Sequence, residues 1–95
     1  MEMKIDSRVL DKLQNKHNVS SDEVYEAFGN VTKGFLEDSR EQHTTYTKTY
    51  WFIAETDMGR LLKIVFIRPN SEVIIKTAYE PSEKVIQLYL KSTRK

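Results

Sequence analysis

The chain has no cysteine among its 95 residues. That excludes a disulfide framework and a thiolate metal site, and it fits a reducing compartment such as the cytoplasm. Glycine occurs three times and proline twice, which leaves no Gly-rich phosphate loop and no Pro-rich linker. No apolar run approaches the ~20 residues of a membrane helix. The N-terminus, Met1-Glu2-Met3-Lys4-Ile5-Asp6, turns acidic at once and lacks the apolar region of a signal peptide. Charge of one sign is also missing. Fifteen Lys and Arg face 14 Asp and Glu, so no strongly basic field marks the chain as a nucleic-acid binder. The length reads as one small domain, residues 1–95, with no internal repeat.

Local helix signals are strong in residues 6–30. Asp6 or Ser7 caps a first helix running to about His17, with Val9, Leu10 and Leu13 on one face. Lys16 and His17 put cations at the negative end of its dipole. Asn18 suits the left-handed conformation that ends a helix. Ser20 and Glu23 form a capping box, and Val19 with Val24 makes a hydrophobic staple for a second helix over Ser21 to Phe28. Gly29-Asn30 is expected to end it.

From Val31 the pattern turns to β. Val31 to Glu37 is a weak strand, interrupted by Gly34, and Glu37 to His43 is a polar turn. Thr44 to Thr56, rich in β-branched and aromatic residues, is a strand, and Asp57-Met58-Gly59 is a hairpin turn. Arg60 to Arg68 is apolar on both faces, which predicts a central strand covered by helices. Pro69-Asn70-Ser71 turns into a last strand over Glu72 to Tyr79. Pro81, after a Glu80 cap, opens a C-terminal helix with Val85, Ile86, Tyr89 and Leu90 on its apolar face. The expected fold is α+β, in the order α-α-β-β-β-β-α, with a four-stranded antiparallel meander.

Zinc is not expected, because two His residues 26 positions apart and no Cys match no ligand spacing. No Ser-His-Asp set or carboxylate pair stands out. The remaining chemistry lies in His17, Arg40, His43, Arg60, Lys63, Lys76, Tyr79 and Glu80. His17 reads either as a base or as a helix-end residue bonded to a carbonyl or carboxylate. His43 reads as an exposed turn residue. Arg40 and Arg60, both at turns, read as a phosphate clamp or as ion-pair partners of Asp38, Glu55 or Asp57. If the last two strands pair about the 69–71 turn, positions summing to about 140 face one another, so Lys63 lies near residue 77. By simple alternation Lys76 and Tyr79 then point to opposite faces. Tyr46, Tyr50, Trp51 and Phe52 read as base-stacking rings or, without a basic surround, as core.

Several strings fall in a recognisable order. They are Ile5-Asp6, Asn15-Lys16-His17-Asn18-Val19-Ser20, Glu23-Val24, Ala27-Phe28, Asp38-Ser39-Arg40, Trp51-Phe52-Ile53, Gly59-Arg60 with Leu61 to Phe66, Ile75 to Tyr79, and Tyr89. Over about residues 5–90 the chain resembles the BrnT family of bacterial toxins, within the RelE/ParE-like superfamily. Its Lys76 to Pro81 string resembles a divergent branch of that family, often labelled ADP-ribosyl-dinitrogen reductase hydrolase. Hydrolases of that kind are larger helical proteins with Asp-rich two-metal sites, and no such cluster occurs here. The resemblance implies a metal-independent ribonuclease without cofactor, paired with a small DNA-binding antitoxin of the ribbon-helix-helix type. Carried onto this sequence, it implies His17, Arg40, Arg60 and Tyr79 as catalytic residues and Lys16, Lys63 and Lys76 as RNA-binding residues. Two positions depart from the family pattern. Asn18 replaces a Gly, and Tyr79 stands where many relatives have an Arg suited to phosphate. The alternative implied is a non-catalytic interaction module of the same fold, acting as a homodimer or in a larger complex.

Overall fold

The computed structural model describes residues 2–38 and 48–93. The fold is α+β. Strand β1 (Glu2–Lys4) leads into helices α1 (Ser7–Lys16) and α2 (Ser21–Asn30). Strands β2 (Leu36–Asp38), β3 (Thr49–Glu55), β4 (Leu61–Ile67) and β5 (Glu72–Tyr79) follow, and helix α3 (Glu83–Thr93) closes the order. The five strands form one sheet in the order β1-β5-β4-β3-β2. Strands β2 to β5 are the expected antiparallel meander. The expected count of four strands is corrected by β1, which pairs in parallel with β5. Three residues carry too little pattern to be read as a strand. Tertiary pairing makes the strand, aided by the cross-strand ion pair Lys4–Glu72 at 2.8 Å.

The helix signals are realised in their side chains. The Asp6 carboxylate accepts the Arg8 N–H at 2.8 Å and caps α1. Asn18 takes φ +55°, and the Val19 N–H turns back to the Leu13 carbonyl at 2.9 Å. The capping box of α2 is complete: Ser20 Oγ accepts the Glu23 N–H at 3.2 Å, and Glu23 Oε1 accepts the Ser20 N–H at 3.0 Å. Helix α2 continues through Gly29 to Asn30, two residues beyond the sequence boundary. The Asn30 amide then donates to the Glu55 carbonyl at 2.9 Å and to Asp57 at 3.0 Å. Ser82, not Glu80, caps α3, since its Oγ accepts the Val85 N–H at 3.3 Å.

Strand β4 is the middle strand of the sheet, as its two apolar faces predict. Phe28 of α2 packs edge-on against Phe52 and Phe66, with ring centroids 4.8 and 5.2 Å away. Leu13, Val24, Leu62, Ile64, Val73 and Ile75 are closed off from solvent within the same core. Helix α3 lies on the opposite face, where Tyr89 meets Trp51 at 5.6 Å. Burial raises the Tyr89 phenol above its ordinary pKa, against the lowering effect of a hydrogen bond from the Ile53 backbone. The same hydroxyl donates to the Gly34 carbonyl at 2.7 Å. Tyr89 and Asn30 thus satisfy backbone groups of β3 beyond the three residues that β2 pairs.

The register of β4 with β5 differs from the sequence expectation. Phe66 pairs with Ile75, Val65 pairs with Thr77, and Lys76 is the additional residue at a bulge. Lys63 therefore faces Tyr79 rather than residue 77. The bulge also shifts the alternation, so that Ile75 and Ala78 are both buried in the helix-covered core while Lys76 is exposed. Tyr79 shares a face with Lys63 and not with Ile75.

Candidate functional site

The corner between α1 and α2 ends in Asn18, whose left-handed backbone turns the His17 and Asn18 carbonyls outward. The guanidinium of Arg60, at the start of β4, fills that end. Its Nη1 donates to the Asn18 carbonyl at 2.8 Å and to both Glu23 oxygens at 3.0 Å. Its Nη2 donates to the His17 carbonyl at 3.3 Å, and its Nε to Glu80 Oε2 at 2.7 Å. Arg60 is thereby a cation at a helix C-terminus and the partner of two carboxylates. It joins α1, α2, the β3–β4 hairpin and the end of β5. The hairpin holds Arg60 in place through the Thr56 N–H to the Arg60 carbonyl at 2.8 Å and the Arg60 N–H to Thr56 Oγ1 at 3.1 Å.

The electrostatics follow from these bonds. Partial burial pulls the Glu23 carboxyl upward, but the Ser20 N–H and the Arg60 guanidinium outweigh it. The group sits below its ordinary carboxylate range. The hydrogen bond to Glu23 is the largest cause that raises Arg60, ahead of the opposing burial and the bond to Glu80.

Beside this clamp lies an open groove of about 480 Å3, lined by Lys16, His17, Asn18, Arg60, Tyr79 and Glu80. Five residues named from the sequence, Lys16, His17, Arg60, Tyr79 and Glu80, come together here from the ends of α1, β4 and β5. The His17 ring is half-buried and tilts against the Tyr79 ring at 5.5 Å. Among the described residues no hydrogen bond or ion pair engages the imidazole nitrogens, and His17 is the C-cap of α1 through its backbone N–H, which donates to the Leu13 carbonyl at 3.1 Å. Arg60 pairs with Glu23 and Glu80, not with the turn acids Glu55 or Asp57.

The other named residues lie elsewhere. Lys76 is exposed at the β5 bulge, away from the groove lining. Lys63 is only 8% exposed, with its ammonium over the Trp51 ring at 4.5 Å and 5.7 Å from the Tyr79 ring. Trp51 and Phe52 are buried, and Tyr50 packs on Phe66 at 5.8 Å, so these rings belong chiefly to the core. Arg40, His43 and Tyr46 lie outside the described residues. Among the described residues no group of three His, Asp or Glu side chains is placed to hold a metal. No described helix is long and apolar enough to cross a membrane.

The sequence reading missed Glu23 as the partner of Arg60, because the capping box already accounted for that carboxylate. It also missed Trp51 as the partner of Lys63. The Thr56–Arg60 hairpin sets Ile53 opposite Lys63, which places Trp51 two positions along on the same face. Compared with models of known families and with curated proteins, the chain matches none.

Proposed function

We propose that this chain is a BrnT-like member of a bacterial toxin–antitoxin pair that cuts RNA without a metal ion at the α1–α2 corner. One observation supports the reading above others: a His17 imidazole with no hydrogen-bond partner among the described residues stands against Tyr79 and next to exposed Lys16 in an open groove. In this mechanism the imidazole takes the proton of a ribose 2′-hydroxyl. The 2′-oxygen attacks the adjacent phosphorus, the bond to the 5′-oxygen breaks, and the Tyr79 hydroxyl gives that oxygen a proton. Lys16 offsets charge on the phosphate. Arg60 is a positioning residue, because its donors hold the backbone that carries His17. A small ribbon-helix-helix antitoxin is the partner that this reading implies.

A specific observation favours a second reading, a non-catalytic interaction module. The guanidinium of Arg60 is occupied by two carboxylates and two carbonyls, and Tyr79 supplies no cation. Incubating purified protein with single-stranded RNA at low salt separates the two. The nuclease reading expects cleavage that falls by about 100-fold or more in His17→Ala, the worth of a general base. Intact RNA with the unaltered protein, together with no growth arrest on expression, rejects that reading in favour of the module.

A further inference from the structure

On the sheet face away from α2, a cavity of about 420 Å3 opens between α3 and the β2–β4 surface. Its volume falls in the ~300–1,000 Å3 range of small-ligand sites. Leu36, Val85 and Leu88 give it apolar walls, Trp51 lies at its base, and Lys63 is the cation on its lining. The Lys63 side chain is more than nine-tenths buried, yet among the described residues no hydrogen bond or ion pair reaches its ammonium. Its nitrogen is not sealed off, since among the described residues no wholly enclosed polar side-chain atom lacks a partner. The ammonium therefore keeps some exposed surface, and Lys63 is part of the cavity lining.

An ammonium without an acceptor in such a place is costly. The Trp51 and Tyr79 rings offset part of the cost through their faces, but rings accept no ordinary hydrogen bond. The acids at the rim do not supply the acceptor. Glu37 pairs with Lys48 at 3.7 Å, and Asp38 has an interaction of its own. Their negative charge does, however, select against polyanions. What fits is one negative charge on an apolar body.

We propose that this cavity binds a small monocarboxylate, its carboxylate on Lys63 Nζ and its apolar part between Leu36, Trp51, Val85 and Leu88. The site is separate from the His17 groove and does not depend on RNA cleavage. Trp51 is the only tryptophan of the chain, so its fluorescence reports the cavity directly. The full-length protein is titrated with phenylacetate, hexanoate, the uncharged phenylacetamide, and inorganic phosphate. A saturable change with the two carboxylates and a response about tenfold weaker or less with the amide is expected, the worth of one charge-assisted hydrogen bond. Lys63→Met removes the charge at similar length and is expected to weaken phenylacetate by about tenfold or more. Leu88→Glu, on a half-exposed helix position, leaves the fold intact and adds a repelling carboxylate at the mouth, with the same direction of effect. Equal responses to acid and amide, a response to phosphate alone, no saturable change, or carboxylate affinity that survives both substitutions would each overturn the site.

Discussion

Arg60 and Lys63 lie three positions apart along one stretch of chain and meet opposite surroundings. Arg60 has acceptors on every nitrogen: Glu23, Glu80 and the carbonyls of His17 and Asn18. Lys63 has two aromatic rings and no acceptor among the described residues. The difference follows from side-chain chemistry and register. Arginine presents a rigid fork that two carboxylates and two adjacent carbonyls match together. The lysine stem runs along apolar surface and delivers a single point of charge at its end. The first cation holds the architecture together. The second is a local imbalance that a ligand relieves.

Arg60→Ala tests the first half of the contrast and has the largest expected effect. It leaves Glu23 part-buried without its partner and frees two helix-end carbonyls. A loss of about 2–3 kcal/mol in urea unfolding is expected from the missing charge-assisted bonds. Arg60→Lys is expected to recover less than half, because an ammonium cannot bridge all four acceptors. If Arg60→Ala unfolds at the same urea concentration as the parent, the clamp is not structural.

Lys63→Met is expected to act with the opposite sign. Removing a buried charge that has no acceptor among the described residues, at the cost of its cation–π contacts, should leave stability unchanged or raise it by up to about 1 kcal/mol. A thermal midpoint clearly lower than the parent's would show that the ammonium has a strong native partner and would end the contrast.

The smallest effect is the pH dependence of the clamp. The Glu23 carboxyl has a folded-state pKa below its unfolded value. Its stabilising contribution is fully present above the unfolded carboxylate range and is lost as pH falls through the depressed folded value. Unfolding midpoints measured from pH 7 down into the acid range should therefore fall more steeply for the parent than for Glu23→Gln. Parallel curves would remove the ionised Glu23–Arg60 pair from the account.

Much of the fold is legible in local chemistry. Asp6, Asn18, Ser20 and Glu23 mark their helix ends with bonds that span two to six residues, and the structure makes each of them. The Glu72–Tyr79 strand and the central position of β4 follow from pattern alone. Strand β1 is not legible, because three residues gain strand character only from the β5 edge they meet. The bulge at Lys76 is equally hidden. Strict alternation cannot show an additional residue, and that residue decided which face Tyr79 occupies.

The candidate site divides along the same line. His17, Arg60, Tyr79 and Lys16 were nameable one by one, since their residue types carry the chemistry. Their convergence in one groove depended on contacts across 40 or so positions, such as Arg60 to His17 and Asn18. Glu80 was assigned to a helix cap and instead closes on Arg60 at 2.7 Å. By itself the sequence determined the helix ends that Asp6, Asn18 and Ser20 mark and which strand is central, because those outcomes rest on near neighbours and on apolar periodicity; the end of α2 at Asn30 and the start of α3 after Ser82 fell outside that reading. Only the tertiary structure decided which cations are paired. Pairing depends on register and on the approach of distant backbone, and one bulged residue is enough to redirect it.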